Sequence, residues 1–145
     1  MACAACRTAG KPVDALTVKA LLTESALSRF EPVPYSFCPD SECEVTYFAQ
    51  NGASFSKADV RVAVWQKEPI GLRMICYCFG ENEADIASEI DRSGESHAVD
   101  RVRAHISAGR CACKVRNPRG ACCLGDVAAA VERMRRMRLV ETGRT

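Results

Sequence analysis

The sequence predicts an α+β chain: a small helix plus antiparallel sheet over residues 1–70, then an all-helical unit over residues 71–145. Three observations carry this. Aromatic residues crowd the first half (Phe30, Tyr35, Phe37, Tyr47, Phe48, Phe55 and Trp65), whereas the second half is built on Ala, Val and Ile, with only Tyr77 and Phe79. Hydrophobic patterning is mostly strand-like before Lys67–Gly71 and helical after it. The 10 cysteines fall into five tight pairs, which supply the staples that two such small units need.

In order along the chain, Thr17 reads as a helix N-cap, with Val18, Leu21, Leu22 and Leu27 following at helical spacing. Pro32 and Pro34 end that element. Residues 35–38 and 44–49 read as strands around a Pro39–Glu42 turn, and Asn51-Gly52 marks a second turn. Val60, Val62 and Val64 alternate with Arg61 and Ala63, as in a half-buried strand. A helix starts near Glu83, turns Ile86, Ala87 and Ile90 inward, and closes at Gly94. Ser96 caps the next helix, whose apolar face is Val99, Val102 and Ile106, and Gly109 closes it. A cysteine-rich loop over residues 110–123 turns at Asn117-Pro118. The last helix, from Leu124 to Arg138, buries Leu124, Val127, Ala130, Val131 and Met134.

Residues 1–7 contain no apolar core of a secretion signal, and no apolar run is long enough to span a membrane. The expected location is therefore the cytoplasm. Thiols stay reduced there, so paired cysteines read as metal ligands before disulfides. A net charge of +2 gives no basis for nucleic-acid binding, and the arginines of the last helix read as a solvated face. No Ser/His/Asp set, phosphate-cradling glycine loop or zinc with an open position is present, which leaves hydrolytic chemistry without support. His97 and His105 stand eight residues apart and read as solvated, and Met134 and Met137 as helix packing.

The cysteine spacings divide into two kinds. Cys3-x-x-Cys6 and Cys38-x4-Cys43 are knuckle-like pairs whose sulfurs can face one ion. They suit a structural zinc, or a single iron in the same four-sulfur cage. Cys76-x-Cys78 and Cys111-x-Cys113 are too tight for a common zinc knuckle and suit a 2Fe–2S cluster, which takes four thiolates. The expected set is Cys76, Cys78, Cys111 and Cys123. Ligation through Cys123 puts Leu124, Val127, Ala130 and Val131 on one buried helix face, and ligation through Cys122 shifts that frame. Cys113 and Cys122 remain as spare thiols, alternative ligands or a separate soft-metal site for copper.

The longer motifs carry a resemblance. Cys76-Tyr-Cys-Phe-Gly80, followed by a helix pair and a cysteine pair opening a third helix, resembles the 2Fe–2S domain of bacterioferritin-associated ferredoxins. Lys11-Pro-Val13, Thr17-Val-Lys-Ala-Leu-Leu22, Phe37-Cys-Pro-Asp40, Val45-Thr-Tyr-Phe48, Cys111-Ala-Cys113 and Asn117-Pro-Arg-Gly-Ala-Cys-Cys-Leu-Gly125 join it. Together they are similar to the N-terminal zinc and 2Fe–2S region of CopZ-type copper chaperones, over residues 3–135. The resemblance implies a metal-handling protein rather than an enzyme, with Cu(II) reduced to Cu(I) before transfer. It implies a metal-transport ATPase or a redox protein as partner. The alternative function is a small electron carrier serving a protein partner. Two departures stand out: the residues after Leu124 contain no Met-x-Cys-x-x-Cys transfer loop, and Arg7 stands where a glycine often follows the first cysteine pair.

Overall fold

The computed structural model describes residues 1–142, with side chains through residue 139. The last three residues of the 71–145 span lie outside the described residues. The chain divides into two compact units.

The first unit comprises Met1–Glu68 and Ala112–Ala121. Its sheet is a four-stranded antiparallel meander of β1 (Lys11–Val13), β2 (Tyr35–Phe37), β3 (Val45–Ala49) and β4 (Ser54–Ser56), paired in that order. Phe37 stands opposite both Lys11 and Tyr47, and Tyr47 in turn opposite Phe55. The sheet's core face therefore stacks aromatic on aromatic, with Phe37 and Tyr47 ring centroids 6.2 Å apart and those of Tyr35 and Phe55 5.8 Å apart. Helix α1 (Ala15–Leu21) adds Val18 and Leu21 to this core.

Several local expectations are corrected here. The cap of α1 is Asp14, whose carboxylate accepts the Leu16 amide at 3.1 Å, and Thr17 is a buried residue inside the helix. The apolar spacing out to Leu27 spans two helices, because Leu22 leaves α1 to bridge Val60, and α2 (Glu24–Leu27) restarts on a Thr23 cap. Strands β1 and β4 are too short to show a pattern in sequence. Residues 60–64 make no strand. Val60 and Val64 are buried, but single 3₁₀ turns flank them (Lys57–Asp59 and Trp65–Lys67) and only Val60 makes a bridge. Alternation there reports burial without a strand to pair with.

The returning segment Ala112–Ala121 belongs to the first unit, where one cut near residue 70 assigns it to the second. Its short helix α5 (Cys113–Arg116) packs on α1. The Tyr47 hydroxyl donates to the Pro118 carbonyl at 2.5 Å, and Gly120 lies directly against Thr17.

The second unit comprises Pro69–Cys111 and the chain from Cys122 on. It is not all-helical. Strands β5 (Met74–Cys76) and β6 (Glu81–Asn82) form an antiparallel hairpin around the Cys76–Gly80 turn. Asn82 then caps α3 (Glu83–Ser93), which ends on left-handed Gly94. Helix α4 (Ala98–Ser107) follows, and the Ser96 hydroxyl accepts the Ala98 amide at 3.2 Å. Both pack on α6 (Leu124–Thr142), where Val127, Ala130 and Met134 are buried with Ile86, Ile90 and Val102, while Leu124 and Val131 are half-buried. The carboxylate of Glu83, without solvent exposure, takes Arg73 at 2.8 Å and Arg133 at 2.9 Å, together with the Gly71 amide. No helix among the described residues is long and apolar enough to cross a membrane.

Candidate metal centre

Two tight turns bring four cysteines together in the first unit. The N-terminal turn is closed by the Arg7 amide on the Cys3 carbonyl at 2.7 Å, the Cys3 amide on Thr8 at 2.9 Å, and a bridge between Ala2 and Ala9. Arg7 takes φ of 66°, the left-handed conformation that glycine adopts without strain. This accounts for the resemblance's glycine at that position. The second turn leaves β2. The Cys38 amide pairs with the Thr46 carbonyl, and Asp40 gathers the Glu42 amide on its carboxylate and the Cys43 amide on its carbonyl. Thr8 joins the two turns by donating to the Asp40 carboxylate at 3.3 Å.

The result is a compact sulfur set. Cys3, Cys6, Cys38 and Cys43 place their sulfurs within 4.8 Å of one another, with Cys6–Cys38 at 3.5 Å and Cys3–Cys43 at 4.0 Å. Phe48 packs beside them; Cys3, Cys38 and Cys43 are buried and Cys6 is half-buried. Burial pushes the Cys38 thiol up to about 12, against the opposing charge of Lys67, and pushes Cys43 up as well. Hydrogen bonds from the Thr8 hydroxyl and backbone bring Cys6 down to about 7. Buried thiols of this kind ionise when a cation replaces their protons.

Lys67 is the residue that sequence reasoning missed. Sequence places it at the boundary of the two halves, yet it is only 7% exposed. Its ammonium donates to the carbonyls of Asp40 at 2.7 Å and Cys43 at 2.9 Å, across the second turn. Nothing in the local sequence marks it, because 24 residues separate it from the cysteine it serves.

In the second unit Cys76 ends β5 without solvent exposure, and Cys78 lies half-buried in the turn that left-handed Gly80 closes onto the Cys76 carbonyl at 2.8 Å. The sulfurs of Cys78 and Cys111 lie within 4.8 Å of each other. Their flanking residues are joined as well: Phe79 stacks on His105 with ring centroids 4.0 Å apart, and His105 meets the Arg110 guanidinium at 3.1 Å. His105 is thus a packing residue rather than a solvated one. His97 lies between Glu95 and Asp100. Cys123 is buried at the start of α6, and its carbonyl takes the Val127 amide. Cys122 is exposed. Cys113 is buried at the start of α5, two residues beyond Cys111, where the chain has passed into the first unit.

Residues 1–61 match a family model described as the zinc binding domain of CopZ. The X-ray structure of the Archaeoglobus fulgidus CopZ N-terminal domain matches with a TM-score of 0.73 and 31% sequence identity, over 89% of this chain and 96% of that one. The chain belongs to the CopZ N-terminal domain family. No curated protein sequence matches it. Mixed helix and antiparallel sheet is therefore the fold of a CopZ-type domain. The four-sulfur cluster lies wholly inside the zinc-binding stretch, so the match and the donor set together support zinc.

Proposed function

We propose that this CopZ-type chain handles copper in the cytoplasm, using one structural and one redox metal centre. The observation that carries the reading is a four-cysteine cluster, three of its thiols buried, inside a zinc-binding CopZ domain. Tetrahedral zinc with bonds of about 2.3 Å sets its sulfurs roughly 3.8 Å apart. The pairs at 3.5 and 4.0 Å bracket that spacing, so the donor set fits. Cys3, Cys6, Cys38 and Cys43 hold the ion, which ties the N-terminal turn to the sheet.

The second centre is a 2Fe–2S cluster held by Cys76, Cys78, Cys111 and Cys123. The proximity of the Cys78 and Cys111 sulfurs supports it, because two thiolates on one iron must lie about this close. The 19-residue α6 begins immediately after Cys123, so its first amides and dipole favour an anionic group at that end. When bound, such a cluster supplies one-electron redox chemistry, the change that relates Cu(II) to Cu(I). Copper is the cargo. Cu(I) is soft and takes thiolates, and Cys113 and Cys122 are the thiols assigned to it. The partner in this reading is a metal-transport ATPase or a redox protein.

Metal analysis and absorption spectra of anaerobically purified protein test the centres. One zinc and two irons per chain are expected. Replacing Cys38 with serine removes the zinc and spares the visible iron spectrum; full zinc retention overturns the assignment. Serine at Cys76 abolishes that spectrum and serine at Cys113 spares it. For the cargo, dithionite-reduced and desalted protein is mixed with Cu(II) by stopped flow, followed by a Cu(I) competition assay. Rapid reoxidation, with Cu(I) retention lost in the Cys113→Ser and Cys122→Ser variants, supports copper handling. Slow reoxidation without thiol-dependent copper binding makes the chain an electron carrier instead.

A further inference from the structure

A buried lysine normally meets a carboxylate, because an isolated ammonium out of water is costly. Lys67 departs from this. Its nitrogen donates only to the backbone carbonyls of Asp40 and Cys43, and no carboxylate among the described residues forms an ion pair with it. Asp40 stands near enough to feel the charge, but its carboxylate is taken by Glu42 and Thr8. Two carbonyl dipoles orient the ammonium without neutralising it. The compensating charge must lie close by, and the cluster beside it provides one: four thiolates carry two more negative charges than one zinc neutralises. The two carbonyls that Lys67 grips belong to the turn that presents Cys38 and Cys43, so the ammonium lies against the segment that carries two of the four ligands.

We infer that Lys67 is the built-in countercharge and positioning residue of the four-thiolate zinc site, setting how tightly the first unit retains its metal. The inference rests on the zinc assignment above. The physical effect is twofold. Fixed positive charge offsets the excess negative charge of the thiolates in a region that water does not screen. The same two hydrogen bonds hold the turn in its ligating shape, as groups beyond the ligands commonly do at metal sites.

The test compares the full chain, zinc-loaded, with Lys67→Met, Lys67→Gln and Lys67→Arg variants. Zinc per chain is measured after purification, and zinc release to a chromogenic chelator is followed in time. Met and Gln remove the charge, and each is expected to speed release by about tenfold or more, a typical effect of losing a group that supports a metal ligand. Arg keeps the charge and is expected to restore slow release. If the neutral variants fail to fold around zinc at all, rescue of the folded, loaded form by Arg still supports the countercharge. Release unchanged in Met and Gln overturns the inference, as does an Arg variant that loses zinc as readily as they do. Failure of the zinc reading itself looks different: the unmodified chain then carries no zinc.

Discussion

Glu83 shows how one residue can organise a unit. Its side chain has no solvent exposure, and burial alone raises a carboxyl's pKa. Hydrogen bonds from Arg73, Arg133 and the Gly71 amide overcome that effect and hold it at about 2, below the ordinary 4.5. A carboxylate depressed in the folded state stabilises above its unfolded pKa and loses that contribution as pH falls. The second unit should therefore keep its full Glu83 contribution above pH 4.5 and lose it progressively toward pH 2. Replacing Glu83 with Gln leaves Arg73 and Arg133 without their anion at the same site. The expected cost is about 3 kcal/mol, as for breaking other buried pairs. Urea unfolding followed by helical circular dichroism at pH 7 checks the cost. In the Gln variant, the loss between pH 4.5 and 2 should also be diminished.

At the scale of elements, the loop Ala112–Ala121 is held by contacts that its own sequence does not predict. Asn117 is buried, and its amide donates to the Ala121 carbonyl while its oxygen accepts the Arg119 amide. Gly120 adopts φ of 70°, and a Cβ there would fall 2.7 Å from the Thr17 hydroxyl oxygen. Both conformation and space therefore require glycine. Gly120→Ala should cost about 1–3 kcal/mol through strain and overpacking. It should raise amide exchange across residues 112–121 while zinc content stays unchanged. Hydrogen exchange by mass spectrometry, with metal analysis of the same sample, reads both. Unchanged exchange would remove Gly120 from the docking of this loop.

At the scale of the whole chain, the first unit joins a small aromatic core to a sulfur cluster, and the two contribute in different ways. Short strands with modest apolar burial leave little margin against chain entropy. Metal binding then becomes part of the folding free energy. Zinc removal by a strong chelator under reducing conditions should lower or abolish the cooperative thermal transition of residues 1–68. Trp65 fluorescence and near-ultraviolet dichroism should report the loss, and added zinc should restore it. A transition unmoved by complete zinc removal would assign the stability to the aromatic core alone.

The sequence by itself determined the elements whose signals are local. The cysteine pairs stood out by spacing, Glu83 and Gly94 bound a helix of regular apolar period, and residues 35–38 and 44–49 read as strands. Tertiary structure decided what depends on long-range partners. It made Asp14 rather than Thr17 the cap of α1, because Thr17 is buried where Gly120 packs. It left Val60–Val64 without a strand, since burial alone supplies no neighbour to pair with. It returned residues 112–121 to the first unit through Tyr47 and Pro118, which lie 71 positions apart. It also brought Lys67 to the turn of Cys38 and Cys43, 24 positions from the cysteine carbonyl it binds. Spacing along the chain encodes which atoms can share an ion, whereas the charge that faces that ion is fixed only when distant segments pack.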